Sequence, residues 1–277
     1  MAAADGGGGM SLRHAPWEEA AEFRIGLRPI DPADWFEGGE PNPAARKDPL
    51  FAAHPAQVWA ETEGSRPAQA EVLSLVSEAV GRPIAAEDRP PLLAAARAVA
   101  DDLCLMEKRD GAWRLTALSL SAGSFFTADQ VIGRSLAELH VPVTGFHERL
   151  LARVVRIFDG LRDDLVLERR NWSVVSSPEL FMPDPGPMRA AIPGIDPAHA
   201  ADELRVRVER QTLRRLPQTG GVVFTIRVWV DPLSAIAADP QRLAHFAQAW
   251  RSATPEFRAY KRLELYDDLV ARVIAGG

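Results

Sequence analysis

Charged and apolar side chains alternate along the segment "LRVRVERQTL" (204–213). Successive side chains of a β-strand point to opposite faces, so Arg205, Arg207, Glu209 and Gln211 would share one face of a sheet. If that face is covered, these groups must pair with each other or with a ligand, because an unpaired polar group is costly to bury. The segment therefore predicts a polar cluster on one strand.

The segment "RRNW" (169–172) repeats this pattern, because Arg169 and Asn171 would share a strand face. Their side chains could hold a carboxylate or line a pocket. The alternative for both segments is a half-exposed strand with a solvated polar face. The next strand segment, "VVFTIRVWV" (222–230), argues against that alternative, because Arg227 is its only charge. So apolar a strand indicates a sheet that is covered on both faces.

His140 ends the apolar stretch "AELH" and is followed by "VPVTG". A neutral imidazole is a common metal ligand, and a lone histidine is also commonly a structural residue. From these residues alone, both interpretations remain open. His147 is the nearest competing histidine, and we expect it on the surface of the following helix.

The elements that must position these residues follow from periodicity and turn signals. Residues 16–65 are rich in proline and tryptophan, which predicts a wrapping segment with short helices. A proline-rich loop lies between the strands predicted at 165–175 and 203–216. It predicts irregular structure and a lid or site wall. Apolar spacing predicts helices at 68–80, 91–108, 146–161, 241–250 and 264–274, and strands at 113–120, 165–175, 203–216 and 221–230.

This order of helices and strands predicts an α+β fold with an antiparallel sheet and helical additions at both termini. The connection "PQTG" (217–220) between the last two strands suits a hairpin. We expect one domain over residues 17–277, preceded by a disordered tail at residues 1–16.

Composition excludes several classes of function. The 277 residues carry a formal net charge of -6 and no basic block, which argues against a nucleic-acid partner. No run approaches the roughly 18 apolar residues of a membrane span, and no secretory signal opens the chain, so we expect a cytoplasmic protein. Cys104 is the only cysteine, so the chain has too few cysteines for an iron–sulfur cluster or a usual structural zinc site. It also lacks the glycine motifs of dinucleotide and P-loop sites, so a redox function would need electrons from another protein.

Four segments together resemble the heme-dependent oxidative N-demethylase family. They are "FRIGLRPIDPADWFE", "VIGRSLAELHVPV", "RRNW" and "VRVERQTLRRLPQTGGVVFTIR", and the similarity extends from about residue 20 to about residue 260. The segment "IGRSLAELH" also resembles the PAS-domain helix that carries the heme-ligating histidine. The resemblance implies a PAS-like antiparallel sheet that binds heme b.

The same resemblance implies oxidation of an amine nitrogen or its methyl group with O2. The electrons would come from NADPH through a separate flavin and iron–sulfur reductase. His140 would be the iron ligand. The residues that match the family's polar strands, and so are candidates for catalysis, are Arg169, Asn171, Arg207, Glu209 and Gln211. Arginine or asparagine could donate to bound oxygen or a heme propionate, and Glu209 could pair with a cationic amine.

The chain departs from the family pattern at "SAGSFFTADQ" (121–130), where a stretch with proline and tryptophan is expected. Phe125 and Phe126 could replace it as an apolar wall. The substrate is left open, since relatives that oxidise the amino group of an amino acid also look similar. The alternatives to an enzyme are a heme-binding PAS-type gas or redox sensor, and a family member that has lost heme and keeps the fold.

Overall fold

The computed structural model describes residues 12–18, 26–140 and 148–276, and its central feature is one antiparallel sheet. The strand order is β1-β5-β6-β7-β3-β4-β2, and every neighbouring pair runs antiparallel. The predicted α+β class is therefore confirmed. The strands are β1 (Arg28–Ile30), β2 (Trp59–Glu61), β3 (Asp102–Arg109), β4 (Ala112–Ser119), β5 (Val166–Val175), β6 (Arg205–Arg215) and β7 (Val222–Pro232).

Helices surround this sheet, and none of those in the described ranges combines the length and apolarity that a membrane span needs. Short 3-10 turns occupy Pro16–Glu18, Pro32–Asp34, Ile192–Gly194 and Leu263–Tyr266. The α-helices are α1 (Pro43–Ala53), α2 (Pro55–Val58), α3 (Arg66–Ala79), α4 (Pro91–Ala98), α5 (Ala128–Val131), α6 (Leu136–His140), α7 (Glu148–Gly160), α8 (Gly186–Ala191), α9 (Ala200–Glu203), α10 (Ser234–Ala237), α11 (Pro240–Ser252), α12 (Pro255–Lys261) and α13 (Asp267–Gly276).

The predicted hairpin between the last two strands is present, and a distant helix holds its turn. The backbone N–H of Leu216 donates to the carbonyl of Gly221 at 2.8 Å, which closes the turn between β6 and β7. Glu71 of α3 accepts hydrogen bonds from the backbone N–H groups of Gln218 (2.7 Å) and Thr219 (2.9 Å). This contact fixes the hairpin relative to the helical layer beside β3.

Both faces of the sheet are covered. The site face, defined as the face that carries Arg207, Glu209 and Gln211, contacts α5, α6 and α7 through an apolar cluster that includes Leu136 and Phe158. The opposite face carries two larger clusters, built around Trp172 with α11 to α13, and around Leu103 and Leu105 with α3 and α4. Arg207 is 1% exposed, so the half-exposed strand considered above is excluded at this position.

A buried arginine also joins the wrapping segment to the opposite face. Arg210 is 1% exposed, forms an ion pair with Glu168, and donates to the carbonyl oxygens of Trp35 (2.8 Å) and Asp34 (2.6 Å). Charge-assisted hydrogen bonds of this kind are stronger than neutral ones. They hold the chain around residue 35 against the middle of the sheet.

The prediction of one helix over residues 91–108 is wrong for the second half of that range. Helix α4 ends at Ala98, and residues from Asp102 onward form strand β3, paired with both β4 and β7. The run from Leu103 to Met106 is apolar at every position because β3 is buried on both faces. Such a run matches a helical stripe and a buried strand equally well.

The loop predicted as too proline-rich for regular structure contains α8, α9 and a 3-10 turn. Pro187 and Pro193 lie in the first turns of α8 and of the 3-10 turn, where the missing N–H costs no hydrogen bond. The helix predicted at 146–161 is present over the described part of its range, and Arg153 and Arg156 are exposed as predicted.

Of the N-terminal tail that the sequence predicts to be disordered over residues 1–16, the structure describes only the part from residue 12 onward. Within that part, His14 lies 2.7 Å from the carboxylate of Glu37, and its ring meets Trp229 edge-on at 4.5 Å. The next element, Pro16–Glu18, buries Trp17 in the opposite-face cluster.

Candidate functional site

The register of β5 and β6 brings the five predicted polar residues together on the site face. Asn171 lies opposite Glu209, and Arg169 lies opposite Gln211. Directly opposed side chains in an antiparallel pair start about 5 Å apart, so these groups are within reach of one another. Arg207 lies on the same face of β6, two positions before Glu209.

Glu209 is the centre of this cluster. Gln211 donates to Oε2 of Glu209 at 3.0 Å, Asn171 donates to the same oxygen at 3.5 Å, and Nε of Arg207 lies 3.6 Å from Oε1. Burial favours the neutral acid and would raise the pKa of Glu209, but the charges of Lys261, Arg207 and Arg169 outweigh it and lower the pKa. The carboxylate is therefore ionised at neutral pH.

Arg207 connects the cluster to two loops. Its guanidinium donates to the carbonyl oxygens of Leu180, at 3.1 Å, and Ala122, at 2.5 Å. Burial lowers the pKa of Arg207, and the Glu209 and Asp102 carboxylates oppose that shift. An arginine remains charged in either case. The observed hydrogen bonds of Arg207 thus hold the wall of the site.

The two loops also bind each other. Met182 donates its backbone N–H to the carbonyl of Gly123 at 2.9 Å, and Phe125 donates to the carbonyl of Met182 at 2.6 Å. The long loop before β6 therefore borders the polar cluster, and its role as a site wall stays a prediction. Phe126 packs against the site-face cluster, but Phe125 does not act as an apolar wall, because this residue is 41% exposed.

The middle of the site face is partly open to solvent. The Glu209 side chain is 19% exposed, although β6 is paired on both sides and the neighbouring Arg207 and Asn171 are buried. Phe224 and Ile226 on the adjoining strand are half-buried as well. Because strands flank β6 on both sides, this exposure must come from space above the face. Its floor combines an ionised carboxylate with apolar side chains.

Local sequence explains the helix that carries His140. Ser135 precedes α6 and Glu138 follows three residues later, with Ser135 N–H donating to the Glu138 carboxylate at 2.7 Å and Glu138 N–H to the Ser135 hydroxyl at 3.3 Å. This reciprocal pair is a capping box, which stabilises the first turn. Leu136 and Leu139 then pack in the site-face cluster, and the helix faces the sheet.

The imidazole of His140 is held in one tautomer. Its Nδ1 lies 2.6 Å from the carbonyl oxygen of Leu136, and because a carbonyl only accepts, Nδ1 carries the hydrogen. Burial lowers the pKa of His140, the Leu136 hydrogen bond opposes this, and the charge of Arg169 lowers it further. The ring is therefore neutral with its lone pair on Nε2, the state in which an imidazole binds iron. The helix that carries His140 thus packs on the same face of the sheet as the polar cluster.

The other histidines that the structure describes lie elsewhere. His14 pairs with Glu37, exposed His199 with Asp196, and His245 lies 3.8 Å from Glu18. The ring of His54 lies tilted beside the ring of Phe181, with centroids 6.4 Å apart. His147 and the segment "VPVTG" lie outside the described residues. In the described ranges, His140 is thus the histidine associated with the site face.

The comparison with protein families agrees with these observations. The family described as "Haem-dependent oxidative N-demethylase, alpha subunit-like" matches residues 74–271, well over half of the chain. The chain belongs to this family. Its name indicates a heme-dependent oxidoreductase and a subunit of a larger enzyme, and the matched range contains His140 and all of β5 to β7.

Within this N-demethylase family member, α12 adds two site residues that sequence reasoning missed. Phe257 of α12 packs against Trp172 on the opposite face, with ring centroids 5.5 Å apart, while the charge of Lys261 acts on Glu209, and burial and Glu209 raise the pKa of Tyr260 so that its phenol is neutral. Helix α12 therefore packs beside β5, with the charge at its end felt by the site face. Arg262, with a φ of +54°, ends the helix directly after Lys261.

Lys261 differs from an ordinary surface lysine. Burial lowers its pKa to about 8, with Glu209 opposing the shift and Arg169 and Arg207 adding to it. No sequence signal could reveal the effect of Lys261 on Glu209, because the two residues are far apart along the chain and Lys261 lies at an unremarkable helix end. Only the packing of α12 at the sheet edge brings the two charges together.

Proposed function

We propose that this chain is the heme-binding, catalytic part of an amine-oxidising system. It would oxidise an amine nitrogen or N-methyl group with O2, using electrons from NADPH that a separate flavin and iron–sulfur reductase delivers. The observation that carries the proposal is the neutral His140, with its tautomer fixed by Leu136, on a helix that packs on the partly open, polar and apolar site face. Membership of the N-demethylase family supports it.

The donor set fits a b-type heme. Nε2 of His140 would bind the iron, and the half-buried Leu139, Phe224 and Ile226 offer apolar surface for a porphyrin. When bound, the heme would supply oxygen binding and activation. His140 must be neutral to bind, and its lowered pKa keeps it so at neutral pH.

The polar cluster would position the amine. The ionised Glu209 would hold a cationic amine through a charge-assisted hydrogen bond. Gln211 and Asn171 share one oxygen of that carboxylate and so fix its orientation. Arg207 would keep the two wall loops in place through its contacts with Leu180 and Ala122.

The architecture supports the PAS-like part of the proposal. The central strands form a hairpin (β3 and β4), then a helical segment that carries His140, then three consecutive antiparallel strands, with β3 beside β7. We propose that residues 17–277 form one such domain and that the protein acts in the cytoplasm.

Absorption spectra of the protein expressed with a heme supply test the proposal. The wild type should show a Soret band that shifts on dithionite reduction and on CO binding, and His140→Ala should lose heme. His199→Ala, an exposed histidine, is the matched control and should behave as wild type. A His140→Ala protein with full heme content would contradict the ligand assignment. Amine-dependent oxygen consumption then separates an enzyme from a sensor.

A further inference from the structure

Asp102, the first residue of β3, is a buried carboxylate that holds a short segment of backbone. The residue is 1% exposed. Its Oδ1 accepts from the backbone N–H of Ser121 at 2.6 Å and from the Ser121 hydroxyl at 2.7 Å, and its Oδ2 accepts from the backbone N–H of Ala122 at 2.9 Å. Hydrogen bonds to a carboxylate are shorter and stronger than neutral ones. Asp102 therefore fixes the path of the chain shortly after β4.

The segment that Asp102 holds, residues 121–122, leads directly to Arg207. The carbonyl oxygen of Ala122 accepts from the Arg207 guanidinium at 2.5 Å. Asp102 lies on the site face, because it pairs with Ile226 of β7, which in turn pairs with Gln211 of β6. Strand β7 separates β3 from β6 in the sheet. The link between the Asp102 carboxylate and the Arg207 guanidinium therefore runs through residues 121–122.

Two further contacts leave residues 121–122 little room to move. Nη1 of Arg46 in α1 donates to the Ser121 hydroxyl at 3.2 Å. The next residue is Gly123, where a Cβ atom would lie 2.6 Å from a methyl carbon of Leu120, so the backbone passes close to that side chain. A change at the Asp102 carboxylate is therefore transmitted to the Ala122 carbonyl, since the segment is held on both sides of it.

Arg207 in turn faces the carboxylate of Glu209. Nε of Arg207 lies 3.6 Å from Oε1 of Glu209, while Gln211 and Asn171 donate to Oε2 at 3.0 Å and 3.5 Å. The two oxygens of Glu209 thus face different partners, and Arg207 is the partner of Oε1. The orientation of the guanidinium depends on the carbonyl oxygens to which it donates. The position of Oε1 therefore depends on the segment that Asp102 holds.

We propose that Asp102 is a positioning residue of the amine site, which acts on Glu209 through the Ala122 carbonyl and Arg207. The inference rests on the proposed function, because that function makes Glu209 the group that holds a cationic amine. Asp102 acts at a distance from the amine, since its two oxygens accept from Ser121 and Ala122.

Asp102→Asn tests the role with little change in side-chain size. An amide has one accepting oxygen, so one of the two backbone N–H groups would face the NH2 donor instead. Glu71→Gln is the matched control, because Glu71 is also buried and also accepts from two successive backbone N–H groups and a hydroxyl. Its donors are Gln218 N–H (2.7 Å), Thr219 N–H (2.9 Å) and the Thr219 hydroxyl (2.6 Å), which lie in the turn beyond the end of β6.

Calorimetry with dimethylamine, on protein expressed with a heme supply, measures the coupling. The proteins are wild type, Asp102→Asn, Glu209→Gln, the double variant and Glu71→Gln. Asp102→Asn should weaken dimethylamine binding about fivefold or more when Glu209 is present. In the Glu209→Gln background the same change should weaken binding less than about twofold, because residues that act through one another are not additive. Glu71→Gln should lower the thermal melt by a similar amount and bind dimethylamine within about twofold of wild type.

The proposal is overturned if Asp102→Asn leaves dimethylamine affinity unchanged, weakens it equally in both backgrounds, or weakens it no more than Glu71→Gln does. A purely structural role would not depend on Glu209. Should Asp102→Asn fail to fold, as judged by its thermal melt, Ser121→Ala takes its place in both backgrounds. It removes the hydroxyl that donates to Asp102 and should weaken binding about threefold, and unchanged affinity overturns the proposal.

Failure of the proposed function looks different. A wild type that does not bind dimethylamine refutes the role of Glu209 in amine binding, and the role of Asp102 with it. A wild type that binds dimethylamine, with equal effects of Asp102→Asn in the two backgrounds, overturns the role of Asp102 alone.

Discussion

Replacing Arg207 with methionine tests whether this residue acts on the ligand or on the walls of the site. The change removes hydrogen bonds to the carbonyl oxygens of Leu180 and Ala122 and the contact of Nε with Glu209 at 3.6 Å. Methionine keeps much of the apolar volume, so the cavity left behind is small. The lost interactions are therefore mainly polar.

The size of the effect follows from burial. Arg207 is 1% exposed, so its partners cannot replace the lost hydrogen bonds with bulk water at no cost. Breaking a buried charged network by removing one member costs about 3–5 kcal/mol. A domain is commonly stable by only about 5–15 kcal/mol, so the free energy of unfolding should fall by a large fraction.

Urea unfolding of the heme-free protein measures this change. Arg205→Met is the matched control: Arg205 is on the same face of β6, is half-exposed, and donates to the carbonyl of Asp202 at the surface. Its replacement should change the free energy of unfolding by about 1 kcal/mol or less. If Arg207→Met is as stable as Arg205→Met but loses amine or heme binding, the wall role is refuted and Arg207 acts on the ligand.

Two further predictions concern the carboxylates of the protein. Glu209→Gln removes an ionised group, so dimethylamine affinity measured by calorimetry should fall about tenfold at unchanged heme content, and equal affinity would remove the amine-binding role. For Asp101, burial raises the pKa from 3.8 to about 6, while Lys47 opposes the shift. Because the folded-state pKa lies above the unfolded one, the contribution of Asp101 to stability is present below pH 3.8 and is lost as pH rises through about 6. Asp101→Asn should therefore melt at a higher temperature than wild type at pH 7, with the difference vanishing below about pH 4, and a difference that does not change with pH would contradict this.

The shared face of Arg169, Asn171, Arg207, Glu209 and Gln211 could be predicted because strand alternation is a local property. The start of α6 carries a local signal as well, since Ser135 and Glu138 form a capping box. The end of α4 carries no such signal. Whether the run after Ala98 becomes helix or strand depends on β7 and β4 pairing with it, and those partners are distant in sequence.

The individual roles within the site depend on contacts that no local pattern encodes. Arg207 and Glu209 look equivalent in the sequence, yet Arg207 is buried and donates to two loop carbonyls, whereas Glu209 is partly exposed to solvent. The alternation predicts which face a side chain takes. It does not predict what lies above that face, because the loops and α12 reach it only in the folded chain.

Lys261 changes what Glu209 can do. Considered alone, a half-buried glutamate would depend on its ligand to remain ionised, because burial favours the neutral acid. Here Lys261 and two arginines lower the pKa of Glu209 before any ligand arrives. An incoming cationic amine therefore meets a carboxylate that is already charged, but also three nearby positive groups that repel it.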